Sequence, residues 1–283
     1  MSLTILNSVS SLTAENALSS TQASLQKTLT ELSTGLKINS GSDDAAGLAI
    51  ANGLGANISA LTQSSQNASD GVGLLQTADG ALSQVTSLLN RAVTLATEAS
   101  NGGLSTSQSD ALNTEYQSIL SEIGNIGSTT NFNGEPIFGT SATVYTSDGT
   151  TSGSNTVTTA IGALTTTALG LNTTQDTTPG TTTAADLSTA AGAQGALALI
   201  TAAISTVAAN RGAIGAAVNQ LTADQNVQNT EVTNLTSAQN NIQNADIGQT
   251  VAQMTQFNVL EQTGMAALSQ SNQAQQAVLK LLQ

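Results

Sequence analysis

Carboxylates are the main side chains in this sequence that could carry chemistry. The chain of 283 residues has 18 Asp and Glu against 5 Lys and Arg, a formal net charge of −13, and no His or Cys. Adjacent carboxylates such as Asp43 and Asp44 can ligate a cation, but no third ligand is spaced to converge on them. Such a pair more often caps a helix and interacts with the positive end of its dipole. We therefore predict a structural role for both.

Other chemical signatures are weak or missing. Gly53-Leu-Gly55 and Gly71-Val-Gly73 are incomplete dinucleotide-binding motifs without a preceding strand. The usual zinc and haem ligands are missing without His and Cys, and five scattered cations form no basic patch for phosphate. No carboxylate pair of the glycosidase kind stands out in the middle of the chain. We expect no catalytic, metal-binding or cofactor-binding residue, and no nucleic-acid partner.

The elements that would position these side chains are long helices. Alternate steps of three and four residues from Leu197 to Ile242 give fourteen positions, of which ten are apolar. The four polar positions are Arg211, Gln225, Gln228 and Gln239. This heptad pattern predicts one helix of roughly 70 Å, and a similar pattern from Leu54 predicts a second. The predicted core of this helical rod consists of Leu54, Ile58, Leu61, Val72, Leu75, Leu82, Leu89, Leu197, Ile200, Ile204, Val207, Ile214, Val218, Leu221, Val232 and Leu235.

Local signals place the ends of the N-terminal helices. Ser42 or Asp43 is the predicted cap of the first long helix, and Asn101-Gly102-Gly103 its stop. A further helix is predicted after Ser105, with Gln108 completing a capping box and an end near Gly124 or Gly127. Two helical arms of similar length predict a mainly α fold, an elongated antiparallel bundle or coiled coil.

The middle of the chain has a different composition. Eighteen of the 44 residues from Thr140 to Thr183 are Thr, which favours strands over helices. Asn133-Gly134 is typical of a tight hairpin turn. We therefore predict a small Thr-rich β-hairpin region rather than a low-complexity linker.

Both chain ends carry narrow apolar stripes. Stripes this narrow cannot bury themselves, so they either pair with each other or wait for a partner. Only 8% of the residues are charged, so the flanks of the stripes suit further protein contacts better than solvent. The stripes therefore predict an interface, either with each other or with a partner, made of Leu18, Leu25, Leu29, Leu32, Leu36, Val251, Met254, Met265, Leu268, Leu279 and Leu282.

Several long motifs follow one another in a fixed order along the two arms. The N-terminal arm contains LSTGLKINS, SDDAAGLAIAN, QNASDG, LQTADGAL and NFNG, and the C-terminal arm NRGAIGA, IQNAD and VLKLL. Together they resemble the conserved segments of bacterial flagellins. The resemblance implies a structural subunit that polymerises into the flagellar filament for swimming motility. It also implies that the terminal helices pair in an inner coiled-coil domain from 1–42 and 244–283, which carries the polymer interface. The other implied parts are a helical rod from 43–131 and 191–243 and a variable β region from 132–190.

Partners and location also follow from the resemblance. It implies export of the unfolded subunit through the flagellar type III apparatus, with a chaperone holding the C-terminal segment. Besides further copies of itself, the implied partners are the filament cap and the hook-junction proteins. The implied location is the extracellular filament, reached without a cleavable signal peptide. The start of the chain lacks a basic region before apolar residues, and no stretch approaches eighteen apolar residues, so we expect no membrane insertion.

Two surface roles are implied in addition. Arg91, Leu95 and Glu115 match positions through which the animal innate receptor recognises flagellins, although Val93 stands where those flagellins carry a second basic residue. O-linked sugars on the central Thr/Ser-rich region are implied by the flagellins that carry them.

Two alternatives stand beside the filament subunit. The hook–filament junction protein resembles flagellin at both ends, but the complete stretch from Ala45 to Ala51 and the C-terminal match favour flagellin. A secreted membrane-active helical translocator would also be helical. Its helices usually have polar faces rich in Lys and Arg, which this chain lacks.

Overall fold

The protein is mainly α-helical, as predicted. The computed structural model describes residues 9–147, 156–171 and 186–281. Over these residues the chain forms five helices, which are α1 (Val9–Thr34), α2 (Ala45–Ala99), α3 (Thr106–Thr129), α4 (Ala190–Gln243) and α5 (Ile247–Leu281). Four short strands lie between α3 and α4, namely β1 (Asn131–Phe132), β2 (Glu135–Pro136), β3 (Ser141–Tyr145) and β4 (Thr156–Ala160). The predicted fold class, with small β-hairpins between two helical arms, is confirmed.

The first hairpin is tight and is set by its turn residues. Phe132 in β1 pairs with Glu135 in β2, so Asn133 and Gly134 alone form the connection. Both have positive φ angles, 53° and 86°. A two-residue loop with two positive φ angles is the turn that the twist of antiparallel strands favours, and Asn-Gly is its preferred sequence.

The second hairpin uses Thr-rich strands with alternating burial. β3 and β4 are antiparallel, with Val144 opposite Val157 and Ser141 opposite Ala160. Val157 and Thr159 are buried, whereas the other residues of β4 are exposed. The side-chain period of two therefore turns one face of β4 towards the core.

The chain divides into two compact units. One consists of the residues up to Ala56 together with those from Asn234 onward, and the other consists of residues Asn57–Thr233. The boundaries fall within α2 and α4, so each of these helices contributes to both units.

Most of the buried apolar side chains lie in the second unit, where α2, α3 and α4 contribute them at helical spacing. Gln228 in α4 contacts Ser64 in α2, and Arg211 contacts Asp79, so these two helices are antiparallel in this unit. Fully burying each large aliphatic side chain stabilises the fold by about 1.5–3 kcal/mol. The largest of these buried residues are Leu75, Leu82, Leu89, Leu95, Tyr116, Ile123, Ile200 and Ile214.

The residues predicted for the rod core occupy two burial classes. The fully buried ones are Leu61, Leu75, Leu82, Leu89, Ile200, Val207, Ile214 and Leu221. The half-buried ones are Leu54, Ile58, Val72, Leu197, Ile204, Val218, Val232 and Leu235. In the second unit, Val72, Leu197, Ile204 and Val218 pack against the buried core.

Two predicted helix ends shift in the structure. α2 begins at Ala45, after both predicted caps, Ser42 and Asp43, because Asp44 Oδ1 accepts the Gly47 N–H, at 2.9 Å. α3 begins after Ser105 as predicted, and the Ser105 N–H donates to Gln108 Oε1 at 2.9 Å. It continues to Thr129, past the predicted stops at Gly124 and Gly127, because helical glycines are tolerated when the following residues continue the helix.

Candidate functional site

The first and last helices pair in the first unit. Ser11 and Ser271 hydroxyls lie 2.9 Å apart, and Gln22 Nε2 donates to Glu261 Oε1 at 3.1 Å. As the residue numbers rise along α1, the numbers of the residues they contact in α5 fall, so the two helices are antiparallel. Gly264 allows close approach, since a Cβ there would lie 3.3 Å from Leu18 Cδ1. The terminal stripes thus pair with each other.

Backbone hydrogen bonds join the two connections beside this helix pair. The Lys37 N–H donates to the Gln243 carbonyl at 2.8 Å, and the Ala245 N–H donates to the Gly35 carbonyl at 2.9 Å. Gly35 has a φ of 73°, the left-handed conformation that favours glycine at the end of a helix. The turn after α1 and the turn before α5 are therefore fixed to each other.

An ion pair fixes the loop between α1 and α2. Lys27 Nζ lies 3.0 Å from Asp43 Oδ1. Asp43 Oδ2 also accepts the N–H groups of Asn39 and Ser40, at 3.2 and 3.0 Å. The hydrogen bond from Lys27, followed by that from the Ser40 hydroxyl, lowers the pKa of Asp43 to about 2. This carboxylate therefore orders its own loop and links it to α1.

The paired terminal helices still expose large apolar side chains. Val9 and Leu12 in α1 are 71% and 60% exposed. On α5 the exposed apolar residues are Ile247, Val251, Val259, Leu260 and Met265. We call these residues, together with Leu29, the exposed terminal set. Large apolar side chains left in solvent on one helix pair are candidates for a surface that binds other protein.

The predicted interface residues divide between the paired face and the exposed surface. Leu29, Val251 and Met265 are exposed. Leu279 lies in α5, and Leu282 is outside the described residues. The half-buried members are Leu18, Leu25, Leu32, Leu36, Met254 and Leu268.

Sequence reasoning missed Ile247, Val259 and Leu260 in the exposed terminal set. These residues do not fall on the repeat of 14 residues that marked the C-terminal stripe. The signal that could have found them is that they are large apolar residues on a predicted helix, outside its narrow stripe.

Of the three candidate receptor contacts, two are at the surface. Arg91 Nε and Nη2 donate to the two carboxylate oxygens of Glu115, at 2.8 and 3.1 Å, and both side chains are about half exposed. Hydrogen bonding to Arg91 lowers the pKa of Glu115. Leu95 is fully buried in the core of the second unit, so it supports this surface from beneath and is not itself a surface contact.

The described residues include no group of three or more acidic side chains placed to hold a metal ion. By length and composition alone, α4 could cross a membrane, with a mean hydropathy of 1.5 over its most apolar 18 residues. The core helix of a soluble protein passes the same test. In the structure 28% of that window is buried, and α4 supplies Ala196, Ile200 and Ala203 to the core of the second unit.

A mainly α fold with paired terminal helices that expose apolar side chains defines a helical structural protein. Comparison with known proteins gives its family. Residues 5–143 match the bacterial flagellin N-terminal helical region, and residues 197–282 match the C-terminal helical region. The chain therefore belongs to the bacterial flagellin family and is a structural subunit of the extracellular flagellar filament.

Two relatives match nearly the full length of the chain. A flagellin of Halalkalibacterium halodurans is 36% identical over 259 residues, which cover 91% of each chain. A flagellin of Bacillus subtilis is 31% identical over 98% of this chain and 99% of that protein. The crystal structure of Bacillus cereus flagellin is 28% identical, with a TM-score of 0.47 over 57% of this chain and 88% of that chain.

Proposed function

We propose that the exposed terminal set of α1 and α5 forms the contacts between subunits in the filament. The observation that carries this proposal is the exposure of large apolar side chains on two helices whose shared face is already paired. Removing such surface from water stabilises an assembly by about 25 cal/mol per Å². The apolar surface buried against several neighbouring subunits in a polymer then offsets the entropy lost by ordering the chain ends.

The surroundings of the set support the same role. The side chains beside Val259 and Met265 in α5 are mainly Gln, Asn, Thr and Ala. Burying neutral polar groups costs less desolvation free energy than burying charges. Glu261, the charged residue of this stretch, is half-buried and accepts a hydrogen bond from Gln22, so the exposed side chains that a neighbouring subunit would cover are neutral.

Charge substitutions in α5 test the proposal. We expect Val259→Asp and Met265→Asp, which place a carboxylate within the exposed terminal set, to prevent seeded polymerisation while circular dichroism still shows a helical monomer. Gln220→Asp is the matched control, since it adds the same charge at an exposed polar position of α4, outside the exposed terminal set. Sedimentation and negative-stain microscopy measure the filaments. Normal filaments from the Val259 and Met265 variants would contradict the proposal.

A truncation tests the extreme C-terminus separately. Removing residues from Leu279 to Gln283 should leave a soluble helical monomer that does not polymerise. Normal filaments from the truncated chain would remove this segment from the interface.

Finer aspects of the function rest on family membership. We propose that segments 1–42 and 244–283 form the inner coiled-coil domain, with the rod and the β region between them as assigned from the sequence. Export through the type III apparatus, the chaperone, the cap and the hook-junction proteins belong to the same proposal. The chaperone part of the proposal can be tested by pull-down. The full chain should bind an export chaperone, and removal of the C-terminal segment should abolish that binding.

Glycosylation of the central region is also proposed. Thr143, Thr158 and Thr165 are exposed in the described part of this region and available to a modifying enzyme. The intact mass of native protein should exceed the mass of the bare chain. A mass equal to the bare chain would reject the proposal.

A further inference from the structure

The polar positions that interrupt the heptad pattern of α4 all contact α2. In the second unit, Arg211 donates from Nε and Nη2 to the Asp79 carboxylate at 2.8 and 3.2 Å. Gln225 Nε2 donates to the Ser65 carbonyl at 3.4 Å, and Gln228 Nε2 donates to Ser64 Oγ at 2.9 Å. In the first unit, Gln239 Nε2 donates to the Ala51 carbonyl at 3.1 Å.

Apolar packing alone specifies the register of these helices weakly. Both helices repeat their apolar residues every seven positions, so a shift by one heptad again places apolar residues opposite apolar residues. Many of the packed side chains are Ala, among them Ala68, Ala78, Ala203 and Ala217. Small side chains of nearly uniform size interlock less specifically than a mixture of large and small ones.

We propose that Arg211, Asp79, Gln225 and Gln228 act as a register lock, which selects one alignment of α4 on α2 among alternatives related by a heptad shift. A single polar residue in an apolar heptad pattern is known to fix register at a cost in stability. Here three such positions of α4 act together within one unit.

A shift by one heptad separates Arg211 from Asp79 and Gln228 from Ser64, whereas Gln225 would meet another backbone carbonyl of α2. Arg211 would then face Val72 or Thr86 instead of Asp79, and Asp79 would face Ile204 or Val218. Gln228 is 3% exposed, and its amide group also donates to the Thr146 carbonyl at 2.9 Å. In one direction of the shift it would face Gly71, which has no side chain to accept a hydrogen bond.

The shift matters for assembly because it moves one helix along the other by roughly 10 Å, or seven residues of helical rise. A subunit with displaced α4 presents a different outer surface. Selection of register in the free monomer would therefore precede any contact between subunits.

The absence of native Cys makes disulfide trapping a direct test. Ser65 Oγ lies 3.4 Å from Asn229 Oδ1, so Ser65→Cys with Asn229→Cys reports the observed register. Ser65→Cys with Thr222→Cys, and Val72→Cys with Asn229→Cys, report the two heptad shifts. A displacement of roughly 10 Å is too large for these shifted pairs to bridge in the observed register, because disulfide Cα atoms lie within about 7 Å.

The unlocked variant carries Arg211→Leu, Asp79→Leu, Gln225→Leu and Gln228→Leu. In a glutathione redox buffer at low protein concentration, proteins that keep the four lock residues should form only the disulfide between positions 65 and 229. The unlocked variant should raise the fraction of shifted disulfides at least about tenfold, while its thermal midpoint does not fall, because apolar replacements keep the packing. A control with Asn219→Leu and Gln220→Leu, two exposed positions of α4, should behave like the native protein.

Two outcomes would overturn the register lock. One is an unlocked variant that forms only the native disulfide, and the other is shifted disulfides of equal abundance with and without the lock. If the fourfold variant loses its helical signal, the pairs Arg211→Leu with Asp79→Leu and Gln225→Leu with Gln228→Leu are measured in the same way. The disulfides are read on monomers, so failure of the lock is distinct from failure of polymerisation.

Discussion

Lys27 Nζ and Asp43 Oδ1 form an ion pair of 3.0 Å that joins α1 to the loop preceding α2. The pair lies at the surface of the first unit, and Asp43 also accepts hydrogen bonds from the Ser40 hydroxyl and two backbone N–H groups. The ion pair therefore orders the loop and changes the loop's response to acid, and it contributes less to overall stability.

The titration of Asp43 should show this pair directly. The pKa of Asp43 is about 2, below its ordinary value, mainly because of Lys27. Since the folded-state pKa is the lower one, the pair stabilises the fold above about pH 4, and this contribution is lost as the pH falls towards 2. In a carboxyl NMR titration, Lys27→Met should raise the pKa of Asp43, although Ser40 and Asn39 keep it below the ordinary value.

Lys37→Met is the control for that titration. Lys37 Nζ contacts the Asn241 carbonyl and not Asp43, so its removal should leave the Asp43 titration unchanged. Equal titration of Asp43 in the native protein and in Lys27→Met would show that the ion pair does not form in solution.

A second prediction concerns the buried hydroxyl of Tyr116. Its oxygen has no hydrogen-bond partner among the described residues, and burial raises the pKa of the group. Tyr116→Phe removes the unsatisfied group and keeps the ring, so the free energy of unfolding should be unchanged or rise by about 1 kcal/mol. Denaturant unfolding measures it. Tyr145→Phe, at a half-exposed site, should have no effect, and a destabilised Tyr116→Phe would reveal a partner for the hydroxyl.

The same group should also control the alkaline limb of the stability profile. The folded-state pKa of Tyr116 lies above the unfolded value of about 10, so the native chain favours the neutral phenol. The free energy of unfolding should therefore fall as the pH rises above about 10. This fall should be smaller in Tyr116→Phe.

Local and periodic features were predictable from the sequence. The heptad patterns gave the long helices because burial at every third and fourth residue is the requirement for a helix to pack. Asn133-Gly134 gave the first hairpin, because few residue pairs adopt two positive φ angles at low cost. Both predictions use interactions that act within a few residues.

The individual contacts between residues distant in sequence were not predictable. Asp43 is not the cap of α2, because Lys27 and the loop backbone bind its carboxylate and leave Asp44 to cap the helix. The burial of Leu95 and the exposure of Val259 likewise depend on where other helices pack. A heptad pattern predicts that a helix has an apolar face, but it does not identify the helix that packs against that face.

A third prediction separates the two kinds of residue among the candidate receptor contacts. Arg91→Ala breaks an exposed ion pair and should leave the free energy of unfolding nearly unchanged, because solvent screens such a pair. Leu95→Ala leaves a cavity in the core and should cost about 2–5 kcal/mol. Thermal and denaturant unfolding of the two variants measure the difference. Similar small effects would place Leu95 at the surface.

The last prediction compares two glycines of α3 that are three residues apart. A Cβ at Gly124 meets nothing within 4 Å, so Gly124→Ala should stabilise the protein by about 0.5–1 kcal/mol through helix propensity. A Cβ at Gly127 would overlap the carbonyl oxygen of Leu164, and backbone cannot give way as a flexible side chain can. Gly127→Ala should therefore destabilise by about 1–3 kcal/mol despite the same gain in propensity. Because the substitution and the helix are the same, only the approach of the Leu164 backbone explains opposite signs. Denaturant unfolding of both variants measures those signs, and equal stabilisation would show that this backbone does not pack on α3.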